Sequence, residues 1–543
     1  MSDLWFVGHK VELEEMLHGR EKRVRRQAMF LEEMAKQVSG ANAAAPAGPV
    51  AMATPAAADK ALICLTVNMP GPVKVCAASK IICAAALRAI KEIKGTSLLG
   101  LYADGYGQEA YISCQAGPIE IKKLTAQIEE VHPLGRLFDI DVIGADASKI
   151  SREDIGMPGR RCLLCGRPAA ECASTRAHSV DELRAAIEDM ILSWGRGENK
   201  ALASSENEDK TFSPVNPADV QNTAIPPLAY RLHRRDIISA CAYGAMMAEV
   251  HTTPKPGLVD EESSGSHDDM DITSFEKSAT ALESYFGDCF EAGRMAITKS
   301  ILSAALPQAG EAGGAKQSPL IELFSELRAY GITAEKDMYE AAGANTHKGL
   351  IFSLGFISAA AGVCAAQQAR MAYLTGEDTD GCLEYDIDAI LETAGLLASP
   401  ARQEISARGS IGGARVEAAD GFPSVRDIAL PAYEEALDIG LSANDAGVYA
   451  LINLIGGVED TNMAARGGSE TAQNMRRKAA RIAGKFKAYA QSPDFDEDIL
   501  QPSEDFIDEV RGLGDEFKKL HLSPGGCADL LAITYFLKML EQF

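Results

Sequence analysis

Positive charge is scarce in this chain: 53 lysines and arginines stand against 77 aspartates and glutamates, for a formal net charge of −24. So acidic a polymer is repelled by a phosphate backbone, which argues against nucleic acid as a partner. Small anionic substrates remain open, provided basic residues gather locally. Nor is there a secreted disulfide framework. The twelve cysteines are mostly scattered singly in apolar surroundings (Cys64, Cys83, Cys241, Cys364), which suits reduced thiols and a cytoplasmic location. No signal peptide is expected, because the first forty residues are charged and helical in pattern. One apolar run, "GLIFSLGFISAAAGVCAA" at 349–366, is about as long as a marginal membrane span. It is rich in Gly, Ala and Ser and follows the polar "NTHK", so a buried helix and no membrane are expected. A G-x-x-x-x-G-K-[ST] loop is missing, so any nucleotide must be held by other means. No internal repeat recurs at a fixed period.

The length of 543 residues leaves room for more than one domain. Residues 10–39 carry apolar positions at helical spacing. An Ala/Pro-rich segment at 40–60 has little to bury and reads as a flexible insertion. Beyond it, "ALICLTVNMPG" and "EAYISCQAGPIEI" look like strands and "SKIICAAALRAIKEI" like a helix between them. Residues 194–229, polar and rich in Ser, Asn and Pro, form the best linker. From there strand signals become scarce. Leu320, Leu323, Phe324, Leu327 and Tyr330 mark one helix face, with Ser318 as N-cap and Pro319 in the first turn. A Gly/Ala-rich stretch at 307–317 reads as a surface loop. The fold expected is multidomain: an α+β domain over 10–193 and an all-α domain over 230–543.

Three clusters in the first domain could carry chemistry. "NMPGPVK" (68–74) is a tight turn ending in Lys74. In "GRLFDIDVIG" a strand would put Phe138, Ile140 and Val142 on one face and Asp139 with Asp141 on the other. Two carboxylates a strand step apart could share Mg²⁺, with Arg136 forked onto a phosphate; the bland alternative is a solvated strand face. "CLLCGRPAAECASTRAHS" supplies Cys162, Cys165, Cys172 and His178, a donor set for a structural Zn²⁺. Buried thiols beside a helix start would read the same.

"NMPGPVK", "HPLGRLFDIDVI", "RRCLLC" and "CASTRAHSVDEL", in this order, resemble the citrate lyase holo-acyl-carrier-protein synthase family. "EEMLHGREKRVRRQAMFLEEM" resembles that family's opening helix. The resemblance implies transfer of phosphoribosyl-dephospho-CoA from a triphosphate precursor to a serine of apo citrate lyase acyl carrier protein, releasing pyrophosphate. It implies that Asp139, Asp141 and Arg136 serve that step, the aspartates through Mg²⁺.

In the second domain, polar clusters interrupt the helical pattern. "TTPKPGLVD" carries Lys255, and "GSHDDMD" carries His267 and Asp269. "GANTHKG" sets His347 and Lys348 at the start of the apolar helix, where free N–H groups favour an anion. "ARGSIGGARVE" flanks a glycine loop with Arg408 and Arg415, followed by Glu417. "EDTNMAARGG" adds Asp460, Asn462 and Arg466, and "LSPGGCADLL" another glycine turn. Each alone reads as capping or a helix stop; together they place basic residues beside glycine turns in an acidic chain, as a phosphate pocket would.

"PKPGLVD", "NTHKG", "GFPSVRD", "EDTN…RGG" and "LSPGG.ADLL" resemble the triphosphoribosyl-dephospho-CoA synthase family. The sequence departs from it at Glu261 and Asp268, where a basic residue is usual. The resemblance implies a reaction of ATP with 3′-dephospho-CoA that expels adenine and keeps the triphosphate. A carboxylate (Glu417 or Asp269) would activate the attacking hydroxyl, and His347 would be an acid or phosphate contact. Lys255, His267, Lys348, Arg408, Arg415, Asn462 and Arg466, with Lys74 in the first domain, would bind substrate. Two other readings stay open: the equivalent service to malonate decarboxylase, and a helical scaffold with decayed sites.

Overall fold

The structure, a computed structural model, describes residues 2–43, 60–197, 233–305, 319–375, 384–402, 413–490 and 501–543. The segments expected to be insertions or linkers, at 40–60, 194–229 and 307–317, lie wholly or mostly outside these residues, as do Ser318 and Arg408. The chain divides into two compact units, one built from His9–His233, the other from Arg234–Phe543 together with Asp3–Gly8.

The first unit, the sheet unit, is organised around strand β1 (Ala61–Val67), whose run of β-branched and aliphatic residues is buried over its first five positions. It pairs antiparallel with β3 (Gly107–Cys114) on one side and β4 (Phe138–Gly144) on the other. β2 (Thr96–Asp104) and the short β5 (Lys149–Ile150) complete the order β2-β3-β1-β4-β5. The long helix α1 (Leu13–Ala43) lays Phe30 and Met34 over Leu62, Cys64 and Tyr111. Helices α2 (Ala77–Lys91) and α3 (Pro118–Val131) also pack on the sheet. The expected strand "EAYISCQAGPIEI" is corrected in its second half: Pro118 opens α3, its missing N–H costing nothing at a helix start. Two short helices, α4 (Ala169–Thr175) and α5 (Val180–Gly195), follow, the latter opened by a capping box between Ser179 and Glu182.

The outer edge of β4 is closed by side chains. Beyond the reach of β5, the Ile140 N–H donates to Glu129 Oε1 at 3.1 Å and its carbonyl accepts from Lys122 Nζ at 2.9 Å, both from α3. Burial holds the Lys122 ammonium below its usual pKa.

The second unit has only helices among its described residues. In chain order they are α6 (Arg234–His251), α7 (Ile272–Ala305), α8 (Pro319–Ala342), α9 (Lys348–Thr375), α10 (Ile387–Ala398) and α11 (Ala414–Ala419). There follow α12 (Leu430–Asp438), α13 (Ala443–Gly457), α14 (Thr461–Ala490), α15 (Gln501–Lys519) and α16 (Gly525–Leu540). The apolar run falls in α9, long and apolar enough to cross a membrane, yet 78% of its most apolar window is buried inside the protein. On α8, Leu323, Phe324 and Leu327 are buried, while Tyr330 sits on the rim and donates to Glu326. Residues from the other end of the sequence complete this unit. Leu4, Trp5 and Phe6 are buried, Trp5 Nε1 donates to Gln542 Oε1 at 2.7 Å, and its ring meets Phe543 edge-on at 5.7 Å.

Candidate functional site

On β4, Phe138, Ile140 and Val142 are fully buried and the two aspartates half-exposed on the opposite face. Register extends this polar face across the sheet: Asp139 pairs with Thr66 and Thr66 with Glu109, while Asp141 pairs with Cys64 and Cys64 with Tyr111. Each carboxylate has a cation. Asp139 Oδ2 accepts from the Thr66 hydroxyl at 2.9 Å and Oδ1 lies 3.4 Å from the Arg160 guanidinium. Asp141 meets Lys149 Nζ at 2.8 Å. The buried Glu109 is clasped by Arg23 and Arg26 of α1 at 3.0 and 2.9 Å. The opening helix thus brings arginines to the sheet.

Arg160 is itself steered. Its second nitrogen pairs with the buried Glu129, which also takes Arg152 at 2.6 Å. Glu129, Glu130, Arg136, Arg152, Arg160 and Arg161 line a small cavity of about 110 Å³. Arg136, expected to grip phosphate, donates through Nη2 to the carbonyls of Arg161 (2.5 Å) and Cys162 (3.0 Å). Lys74 turns its ammonium onto the Met69 carbonyl at 2.7 Å; burial, then the nearby Arg184 charge, lowers its pKa. The donor atoms of Cys162, Cys165, Cys172 and His178 all lie within 4.8 Å of one another. Arg167 donates to Cys165 Sγ and pulls that thiol down to about 5, while burial pushes Cys172 up to about 11.

In the helical unit a cavity of about 610 Å³ brings together His267, His347, Lys348, Glu417, Asn462 and Arg466. The N-terminal residues of α9, α14 and α16 open onto it: Lys348 and Gly349, Thr461 and Asn462, Gly525 and Gly526. Each helix start carries roughly half a positive charge, which with Lys348 and Arg466 suits the cavity to an anion. Gly349 is required by a close approach, since a Cβ there would collide with Asp529 Oδ2.

The chain belongs to the ATP:dephospho-CoA triphosphoribosyl transferase family, CitG, whose profile matches residues 235–543. A second profile, CitX, apo-citrate lyase phosphoribosyl-dephospho-CoA transferase, matches residues 11–194. Protein CitXG of Leuconostoc mesenteroides subsp. cremoris is 30% identical over 77% of this chain and 78% of its own length. Protein CitXG of Haemophilus influenzae is 28% identical, covering 79% of each. The 2-(5''-triphosphoribosyl)-3'-dephosphocoenzyme-A synthase of Klebsiella pneumoniae is 31% identical over 60% of this chain and 95% of its own length. The chain is accordingly a bifunctional transferase of citrate lyase prosthetic-group synthesis and transfer, with ATP among its substrates.

Within the CitG-family unit, the cavity also holds Glu249 and Asp529, which the sequence gave no reason to single out, and Asp460 of the "EDTN" cluster; all three line it beside Glu417. Burial raises the pKa of each, most for Asp529, whose neighbours Glu249 and Asp460 add like charge. Asp460 caps two helices at once, its Oδ1 accepting from the N–H groups of Asn462 and Met463 and its Oδ2 from that of Cys527. Glu417 Oε1 accepts from Ser424 N–H at 2.7 Å, and burial pushes its carboxyl up. His347 Nδ1 shares a 2.7 Å hydrogen bond with Ser278 Oγ, and burial holds the ring down to about 3, so it is neutral at pH 7. Its Nε2 and Thr346 Oγ1 are shielded from solvent without a partner.

The other expected residues stand apart from this cavity. Lys255 is buried in an ion pair with Glu249 at 2.5 Å. Asp269 is exposed in a neighbouring hollow that also contains His267 and Asp268. Arg415 is exposed, its guanidinium 5.8 Å from the Phe352 ring. The departures Glu261 and Asp268 do not line the cavity; Glu261 bonds His251 at 2.8 Å.

Proposed function

We propose that the helical unit makes the precursor, condensing ATP with 3′-dephospho-CoA, and that the sheet unit installs it on apo citrate lyase acyl carrier protein. The observation that carries the first assignment is the convergence of three helix N-termini on one cavity that holds shielded polar atoms without partners. Those N-termini, with Lys348, Asn462 and Arg466, hold the triphosphate. Glu417 takes the proton of the attacking ribose 2′-hydroxyl as the new bond to C1′ of ATP forms; the C1′–N9 bond breaks, and adenine leaves with its electron pair and takes a proton from solvent. His347 acts neutral: with the Ser278 hydroxyl donating to Nδ1, Nε2 carries the proton and donates to bound substrate. Asp269, exposed outside the cavity, is the weaker base candidate.

In the sheet unit, a serine oxygen attacks the α-phosphorus, the bond to the β-phosphate bridging oxygen breaks, and pyrophosphate departs. Arg160 and its arginine neighbours face that departing charge. Asp139 and Asp141 fit Mg²⁺ by donor chemistry and by sharing a face, and such an ion would neutralise phosphate charge. Arg160 and Lys149 already balance these carboxylates and would have to share them with it.

The test separates the two steps. The purified chain given ATP and 3′-dephospho-CoA should release adenine, read by chromatography, and subsequent addition of apo carrier protein should release pyrophosphate and raise the carrier's mass. No adenine release sinks the first assignment; adenine release without carrier modification sinks the second.

A further inference from the structure

The segment Arg160–His178 is folded as a metal-binding clip. Cys162 N–H donates to the Arg167 carbonyl at 2.6 Å and Ala169 N–H to the Arg160 carbonyl at 2.9 Å, bridging Arg161 to Pro168 across a tight turn. Gly166, just after Cys165, has φ +69°, a left-handed conformation that lets the turn reverse directly behind that cysteine. The clip presents Cys162 and Cys165 from the turn, Cys172 from α4 and His178 from the residue preceding the Ser179 cap of α5. Cys162 and Cys172 are buried, Cys165 Sγ lies 3.3 Å from Cys172 Sγ, and His178 Nε2 is shielded without a hydrogen-bond partner. Three thiols and an imidazole whose donor atoms crowd within 4.8 Å of one another form a set that a single ion could share. A tetrahedral zinc with Zn–S bonds of about 2.3 Å sets its sulfurs ~3.8 Å apart, a spacing bracketed by the 3.3 Å between Cys165 and Cys172 and the 4.8 Å limit of the whole set. Thiolate-rich tetrahedral sites select zinc over hard cations.

The clip is also joined to the face that carries the aspartates. Arg136, in the turn that leads into β4, is held by the carbonyls of Arg161 and Cys162. Arg160, the first residue of the clip, bridges Glu129 to Asp139. Whatever fixes the cysteine turn therefore fixes Arg136, which is held by that turn, and Arg160, which lies against Asp139.

We propose that Cys162, Cys165, Cys172 and His178 bind one zinc ion, and that this ion holds the Arg160–Cys162 turn so that Arg160 is positioned beside Asp139 and Arg136 is kept on that turn. Binding displaces the thiol protons to solvent and needs no redox partner. The positioning half rests on the assignment of transfer to the sheet unit; the metal half does not.

The full chain, produced with zinc supplied and purified under reducing conditions, should carry stoichiometric zinc by plasma mass spectrometry. Cobalt(II) exchanged into it should give thiolate-to-metal charge-transfer absorption, lost in Cys165→Ser and Cys172→Ser. A metal-free wild-type protein that fails to take up either ion, or one in which Cys165 and Cys172 are found as a disulfide, overturns the site. Removing zinc with a chelator should cut transfer to apo carrier protein by about 10–100-fold, mainly through KM for the precursor, with adenine release unchanged and rescue on adding zinc back. Unaltered transfer by stripped, folded protein overturns the positioning role. Absence of transfer even in the zinc-loaded protein would count instead against the assignment of transfer to this unit.

Discussion

The two units meet the same difficulty, holding a polyphosphate in a chain of excess negative charge, by opposite means. In the sheet unit the carboxylates lie along a strand face and each is matched by a side-chain cation: Asp139 by Arg160, Asp141 by Lys149, Glu109 by Arg23 and Arg26. In the helical unit the acids are sunk into the cavity wall and two of them are bonded to main-chain N–H groups, Asp460 beside helix starts and Glu417 at Ser424. Side-chain cations can be drawn from one partner to another as a substrate arrives. Backbone dipoles cannot move, so they suit a site that must receive the same triphosphate each time.

The contrast can be broken at its strongest point first. Glu417→Gln should lower adenine release by about 10²–10⁴-fold while transfer of separately supplied precursor is unaffected. In the parent enzyme the rate should fall as pH drops through the raised Glu417 pKa, above the ordinary 4.5, because only the ionised carboxylate accepts the proton. His347, already neutral above about 3, should add no inflection near neutrality. A normal rate of adenine release in the Gln variant would remove Glu417 as the base. Arg160→Ala should cost about 10²-fold in transfer and leave adenine release intact, since it leaves Asp139 without its guanidinium; an equal loss in both assays would mean general damage. An Asp141→Ala variant with undiminished transfer would likewise end the metal role assigned to that pair. The mildest change is Gly349→Ala, which forces a methyl onto Asp529 and should destabilise by about 1–3 kcal/mol, read as a lowered Tm. Tm unchanged there would mean that α9 and α16 can part without cost.

Much of the sheet-unit site is legible because strands write their faces into the sequence with period two: the alternation of Phe138, Ile140 and Val142 against Asp139 and Asp141 needs no tertiary knowledge. The cysteine spacing is legible for a similar reason, since both ends of Cys-x₂-Cys belong to one turn. Arg160 is not, because "GRRC" looks like any basic doublet until Glu129, on a helix thirty-one residues earlier, is folded against it. The helical cavity divides the same way. Residues in polar interruptions, such as His347 and Glu417, stand out locally. Glu249 and Asp529 sit inside helical runs and resemble solvated charges; only packing reveals them as buried. Lys255 stands out in sequence between two prolines, but its buried pairing with Glu249 is visible only in the fold.

Trp5 carries a consequence for how this protein is born. Leu4, Trp5 and Phe6 belong to the helical unit, and Trp5 rests on Gln542 and Phe543. They are translated well ahead of these partners. Residues 9–233 can close their own core while translation continues. The helical unit cannot, for its hydrophobic opening stretch must wait, uncovered, through some five hundred residues of synthesis. The catalyst of the first reaction is thus completed after the catalyst of the second.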